Sequence, residues 1–294
     1  MKILVIGGSY FAGRIFSLYT LRERTEKITV LNRGRYPFNN GKIEELFCDR
    51  HDLSKASELL KDRYFDVVVD FCAYKAGDIK GIADALNGRI GKYVYISTAS
   101  VYEPSPSFID EQGAIIENPA NDEVGEYIRG KILLEEELKS LSIPYLILRP
   151  GFIYGPYNYA PRESLLIKKI VQEKKIGVPE NTVGKWSFVY VTDVAKAIYS
   201  LLDNNIENEV FNLSAPDVVS YPLLIELLVK CASSEGTASF KTAEKEDCLQ
   251  PFPADDVLLY SGVKLSYAVN FSYTPLEKGM ELTFKAFEPI YRKR

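Results

Sequence analysis

The sequence predicts an α/β protein in which a doubly wound parallel sheet is followed by a smaller C-terminal lobe. Three observations carry this. Short runs rich in Val and Ile, apolar on both faces, alternate with helix-like segments through the first half of the 294 residues. The first run, 2–6, enters the turn Gly7-Gly8-Ser9-Tyr10-Phe11-Ala12-Gly13, which opens a helix. Further on, Ser97-Thr98 ends a strand-like run, and Tyr127-Ile128-Arg129-Gly130-Lys131 lies in a helical pattern.

The strand-like runs are 2–6, 28–32, 45–48, 66–70, 93–97 and 145–149, and helical patterns cover 13–24, 53–62, 78–86 and 124–141. Strands apolar on both faces need helices above and below, and crossover helices make such strands parallel. A strand at 187–191, a helix at 193–202, a strand at 209–213 and a helix at 223–231 follow. Beyond 232 the pattern weakens: 244–256 is polar and interrupted by proline, and 276–287 recovers a helical period. Residues 104–122, rich in proline and acids, form the longest loop, placed where a loop could cover a substrate. The expected division is a sheet domain over 1–155, to which 187–213 returns, and a lobe built from 156–186 and 214–294.

Composition narrows the function classes. A net charge of −4 supplies no global basic field for nucleic acid or anionic lipid. Cys48, Cys72, Cys231 and Cys248 show no paired spacing, and His51 is the sole histidine, so no metal is expected. No apolar stretch reaches transmembrane length, and the run at 2–6 is too short for a signal-peptide core. The expectation is a cytoplasmic protein with reduced thiols.

The glycine turn sits where a dinucleotide fingerprint belongs, directly after an N-terminal strand. Gly7 permits the tight turn and Gly13 close packing of helix on strand, leaving the helix N-terminus, with Gly8, Ser9 and Phe11, to face a pyrophosphate. Tyr10 departs from the pattern, standing where glycine would let backbone approach phosphate; it either tilts the pyrophosphate or stacks on the cofactor. After the second strand the chain reads Asn32-Arg33-Gly34-Arg35, with no acid to hold a ribose 2′-hydroxyl. Two guanidiniums favour a 2′-phosphate, hence NADP over NAD, unless both face solvent. Asp49 and Asp52 are candidates for the adenine edge and its turn, or for a plain N-cap of the helix at Leu53.

Tyr127 and Lys131, four residues apart, share one helix face. A tyrosine titrates near ~10. An ammonium about 4 Å away, at an effective dielectric of ~20, stabilises the phenolate by roughly 4 kcal/mol, about three pKa units. Such a tyrosine can exchange a proton with a sugar or alcohol hydroxyl.

With these motifs in place the chain resembles the extended short-chain dehydrogenase/reductase superfamily, of the NAD-dependent epimerase/dehydratase type. The resemblance rests on the 7–13 turn, Ser97-Thr98-Ala99-Ser100-Val101-Tyr102, Tyr127-x-x-x-Lys131, Leu148-Arg149-Pro150-Gly151-Phe152-Ile153-Tyr154-Gly155-Pro156, Val189-Tyr190-Val191-Thr192-Asp193-Val194-Ala195 and Phe211-Asn212-Leu213-Ser214. The turn with Asn-Arg-Gly after strand two looks like an atypical branch that includes bacterial epimerase-like proteins and chloroplast stem-loop RNA-binding proteins. The resemblance implies a Rossmann sheet with a substrate-binding lobe. It implies Tyr127 as acid/base, Lys131 as its pKa modifier and a contact of the nicotinamide ribose, and Thr98 as the hydroxyl bonding the reacting oxygen. Pro150 and Phe152 would border the nicotinamide, and Asp193 would organise a helix start. Sugar-nucleotide 4,6-dehydratases of the superfamily carry Asp-Glu after the threonine; here Ala99-Ser100 disfavours dehydration.

The expected substrate is a nucleotide sugar lying between sheet and lobe. Tyr154, Tyr157, Asn158, Arg162 and Trp186 are candidates to line its site, with lobe packing as the alternative for the aromatics. The leading function is sugar epimerisation by Tyr-assisted hydride transfer. A carbonyl reductase would look the same in these residues, and an RNA-binding or regulatory protein could retain the same shell. The Tyr127 helix is a candidate homodimer surface, unless Ile132, Leu134 and Leu138 face the core.

Overall fold

The structure, a computed structural model, describes residues 1–23, 27–233 and 238–292. In chain order the elements are β1 (Lys2–Ile6), α1 (Phe11–Glu23), β2 (Lys27–Asn32), β3 (Ile43–Phe47), α2 (Leu53–Leu60), β4 (Phe65–Asp70), α3 (Asp78–Ala85), β5 (Ile90–Ile96), α4 (Glu123–Ser140) and β6 (Tyr145–Pro150). Then follow β7 (Phe152–Tyr154), α5 (Glu163–Glu173), β8 (Lys175–Pro179), β9 (Lys185–Tyr190), α6 (Val191–Leu202) and β10 (Glu209–Leu213). The last third holds β11 (Val218–Val219), α7 (Tyr221–Ser233), β12 (Ser239–Ala243), β13 (Val257–Leu258), α8 (Val263–Val269) and α9 (Leu276–Arg292).

Seven parallel strands form the main sheet in the order β10-β6-β5-β4-β1-β2-β3. Alternation along β1 shows why it is doubly wound. Ile3 and Val5 point to one face, packing with Phe16 of α1 and Val194 and Ile198 of α6. Leu4 and Ile6 point to the other, with Ala56 of α2, Ile82 of α3 and Leu134 of α4. Each such fully buried aliphatic side chain contributes about 1.5–3 kcal/mol. Chain order reverses between β1 and β4, and a crevice opens at the carboxyl ends of strands at such a point.

A second region packs β7, β9, β11 and β13 with the β8–β12 pair against α5, α7 and α9. Its core is aromatic: the Trp186 ring lies 4.9 Å from Tyr221 and 5.2 Å from Phe252. Here the sequence reading needs correction. The strand expected at 187–191 pairs with β7, not with the main sheet, so the chain returns to that sheet only with α6 and β10. β7, β11 and β13 are two or three residues long, too short to show a period. α9 continues past 287, through Pro289, to Arg292.

Asp193, at the start of α6, is fully buried and accepts from Thr274 N (2.6 Å) and Thr274 Oγ1 (2.8 Å), tying α6 to the segment before α9. Leu134 and Leu138 are buried in the core, and Ile132 packs against a small cluster around Tyr102. No helix among the described residues is long and apolar enough to cross a membrane. No group of three or more His, Cys, Asp or Glu among the described residues could hold a metal.

Candidate active site

A cleft of about 990 Å³ opens where chain order reverses, and most of the expected residues line it. Its floor at one end is the glycine turn. Gly7 has φ +77°, and a Cβ there would stand 2.8 Å from Cys72 Cβ; only glycine fits both conditions. A Cβ on Gly13 would meet the Gly7 carbonyl at 2.6 Å, so α1 packs directly on the turn. Gly7, Ser9, Tyr10, Phe11 and Gly13 line the cleft. Gly8 does not, because it faces Val5 and Val30 of the sheet.

Beyond β2, Arg33 and Arg35 reach the same cleft as exposed side chains. Asn32 has a local duty: its Oδ1 accepts from Gly34 N (2.6 Å) and its amide donates to Glu45 (3.2 Å), shaping the loop that carries both arginines. Asp49 accepts from His51 N at 3.0 Å and lines the cleft, while Asp52 caps α2 by accepting from Lys55 N at 3.1 Å. Among the described residues, Asp49 is the one acid that lines the cleft, which is also lined by Arg33, Arg35, Arg50, Lys131 and Arg162. Arg50 is neutralised from below. Burial pulls its pKa down, but Asp70, bonded at 2.9 Å through each carboxylate oxygen, lifts it well above the usual arginine value.

At the other end α4 brings Tyr127 and Lys131 to the wall. Asp122 caps this helix by accepting from Gly125 N at 2.7 Å. Gly130, inside the motif, is in contact with the Tyr74 carbonyl, where any side chain would collide; this is what lets α4 lie against the loop after β4. Lys131 is buried and donates to the carbonyls of Ile96 (2.8 Å) and Ala73 (3.0 Å), with its Nζ 4.7 Å from the Tyr74 ring centre and 5.8 Å from that of Tyr127. Burial lowers its pKa to about 8.

The electrostatics of the pair differ from the sequence expectation. Burial among the cleft walls raises the Tyr127 pKa, and the Thr98 hydroxyl, by hydrogen bonding, pulls it partly back. The charge that also pulls it down is that of Arg162, while the Lys131 ammonium is bonded to two main-chain carbonyls. Thr98 also caps the short turn at Ala99–Val101, accepting from Ser100 N at 3.2 Å. Ala99 is fully buried and Ser100 lines the cleft, so the two positions after Thr98 bring no carboxylate to the side of Tyr127.

Of the substrate-side candidates, Arg162 lines the cleft, its guanidinium 4.8 Å over the Phe152 ring, and burial lowers its pKa. Pro150, Phe152 and Asn158 line it too, but the Asn158 amide is held by both oxygens of Glu163 (2.9 and 3.1 Å), so it shapes the loop. Trp186 and Tyr154 are corrections: both are buried in the aromatic core, and Trp186 donates to Pro253 O at 3.0 Å. Tyr157 is not among the lining residues and stands half exposed beside Arg14. Tyr74, Tyr159 and Glu135 went unread in the sequence. Glu135 had a signal, since it continues the four-residue spacing of Tyr127 and Lys131.

A model of the NAD dependent epimerase/dehydratase family matches residues 3–214. The chain belongs to this family.

Among curated relatives, the Arabidopsis thaliana chloroplast stem-loop binding protein of 41 kDa b is 29% identical over 246 residues, covering 78% of this chain and 62% of that one. The dTDP-D-glucose 4,6-dehydratase of Dictyostelium discoideum is 24% identical over 261 residues, covering 74% and 59%. The chain thus spans about three-fifths of the length of these relatives. The UDP-glucuronic acid 4-epimerase of Bacillus cereus, solved with UDP-glucuronic acid and NAD, superposes with a TM-score of 0.79 at 21% identity, over 99% of this chain and 100% of that one. The dTDP-glucose 4,6-dehydratase of Bacillus anthracis, solved with NAD, gives 0.81 at 18% identity, over 98% and 97%. At these identities the structural likeness is one of fold. At the glycine turn of this chain Tyr10 stacks on Tyr36, with ring centres 4.9 Å apart.

Proposed function

We propose that the protein is a nicotinamide-dependent enzyme that epimerises a nucleotide sugar, with Tyr127 exchanging the proton. The observation that carries this is the convergence of Tyr127, Thr98 and Lys131 with the glycine turn in one cleft. The residues fit a dinucleotide: a turn in which side chains would collide, a helix start with no acid in its first turn, and two exposed arginines. Gly7, Ser9 and Gly13 would hold its pyrophosphate against the α1 N-terminus. Arg33 and Arg35 would hold a 2′-phosphate, favouring NADP. When bound, the cofactor supplies hydride acceptance and return.

The chain's own groups supply the rest. Thr98 bonds the hydroxyl that reacts and fixes it against Tyr127. Tyr127 is a neutral phenol in the protein alone; once deprotonated, it would take the hydroxyl proton of the substrate as hydride leaves and return that proton to the keto oxygen as hydride comes back. Lys131 anchors the floor between the Ile96 and Ala73 carbonyls. Arg162 faces the reacting region as a cation suited to an anionic group of the substrate.

A reading as an RNA-binding protein draws on the name of the plant relative. A net charge of −4, with the cleft's cations gathered in a pocket rather than a stripe, favours a small anionic ligand. Calorimetry with NADP(H) and NAD(H) on wild type and Arg33→Ala tests the enzyme reading. Binding of at least one cofactor is expected, with NADP tighter and weakened in the variant. A protein that binds neither cofactor overturns it, and a filter-binding titration with a steep salt slope would favour RNA.

A further inference from the structure

One side chain bridges the two ends of the cleft. Tyr159, on the loop between β7 and α5, lies with its ring 5.7 Å from Tyr10 of the phosphate turn and edge-on to Phe11 at 5.9 Å. Its hydroxyl is hydrogen-bonded with that of Tyr74, whose ring is 6.2 Å from Tyr127. Tyr10 in turn stacks on Tyr36. A continuous path of rings therefore crosses the cleft from the loop after β2 to the helix that carries Tyr127.

The backbone on both sides of Tyr159 is fixed, and its side chain is exposed. Glu163, buried, accepts from the Asn158 amide and from Gly155 N at 3.2 Å, and Asn158 Oδ1 accepts from Ala160 N at 3.0 Å. Tyr159 itself is 64% exposed, held by ring edges and one hydroxyl with solvent behind it. Such a ring can rotate away while the backbone stays, whereas a core tyrosine could not.

We propose that Tyr159 is a latch which, by closing its ring on Tyr10 and Phe11, holds the dinucleotide in the cleft and limits its release. This rests on the nicotinamide reading above and deepens it. An epimerase returns its cofactor to the starting oxidation state in every cycle and has no need to exchange it. A reductase must release it each turnover. A latch across the cleft suits the first and hinders the second.

The test is the rate at which preloaded NADPH leaves the full-length protein when mixed with excess NADP, followed by NADPH fluorescence. Tyr159→Ala should release NADPH at least tenfold faster than wild type. Tyr159→Phe keeps the ring contacts and should stay within threefold. Tyr36→Ala, at an exposed position, unstacks Tyr10 and should accelerate release in the same direction, which keeps the test open if Tyr159→Ala folds poorly. Release from the Ala variants within twofold of wild type overturns the latch and leaves cofactor binding standing. Equal acceleration in Tyr159→Phe overturns ring contact as the closing element. A wild type that binds neither NADPH nor NADH overturns the nicotinamide reading and the latch with it.

Discussion

Glu135 grips Arg149 with both carboxylate oxygens, at 2.9 Å to Nε and 2.5 Å to Nη2, in the core beneath the cleft. The same carboxylate accepts the Ser97 hydroxyl at 2.7 Å, and Arg149 passes on to the Tyr102 hydroxyl at 2.8 Å. Tyr127, Lys131 and Glu135 form one stripe along α4, running from cleft wall to floor to core. The depth at which Tyr127 stands is thus set eight residues away, by an ion pair that docks α4 on β6.

Removing one member should expose that dependence. Glu135→Ala leaves the Arg149 charge buried without its partner, and breaking such a pair costs about 3–5 kcal/mol. Urea unfolding should register a loss of that size, with Glu135→Gln losing less because it keeps shape and one acceptor. A loss below about 1 kcal/mol in the Ala variant would show that the pair does not dock the helix.

Tyr127→Phe keeps the ring and deletes the hydroxyl. Folding and cofactor affinity should match wild type, while turnover falls by roughly 10²–10⁴-fold, the usual contribution of a positioned proton-transfer group. Turnover near the wild-type rate on any accepted substrate would place the acid/base elsewhere.

Much of this site could be read from the chain because its chemistry is local. A glycine turn after a strand, and residues four apart on a helix, are fixed by backbone geometry alone. What could not be read depends on partners distant in sequence. That Lys131 shares a helix face with Tyr127 could be read, but not its hydrogen-bond partners, the carbonyls of Ala73 and Ile96, one of them 58 residues away. Trp186 looked like a pocket aromatic, yet Tyr221 and Phe252, from the chain's last third, close around it. The fold followed a similar line. The main sheet's strands carry long aliphatic runs, whereas β7, β11 and β13 pair through two or three residues and leave no periodic trace.

Lys131 gives the protein a distinctive pH response. Burial lowers its pKa from 10.5 to about 8 in the folded state. Below pH 8 both states hold the proton, and the folded state bears the cost of burying it. Between about 8 and 10.5 the unfolded chain holds the extra proton, so this residue's contribution to stability rises with pH, by up to about 3 kcal/mol. Lys131→Met does not titrate. Wild-type stability minus that of the variant should therefore increase from pH 7 to pH 10.5 in urea unfolding series. A difference that stays flat would mean that the ammonium is well solvated where it stands.

The reaction class turns on what stands beside Thr98. Removing water from a 4-keto sugar needs an acid and a base next to the reacting carbons, and here Ala99 is buried and Ser100 is a hydroxyl. The one acidic lining residue, Asp49, bonds to the backbone of His51 among the residues that follow β3. In the proposed reaction, with no carboxylate beside Tyr127 among the described lining residues, a keto sugar would turn and be reduced again rather than lose water. Protein and cofactor incubated with UDP-, GDP- and dTDP-sugars should yield a product of unchanged mass and new retention time. A gain of two hydrogens with stoichiometric oxidation of NADPH would identify a reductase, and would also contradict a latch that retains cofactor. Loss of water from any of these sugars would show that a group other than the Ala99-Ser100 positions moves the second proton.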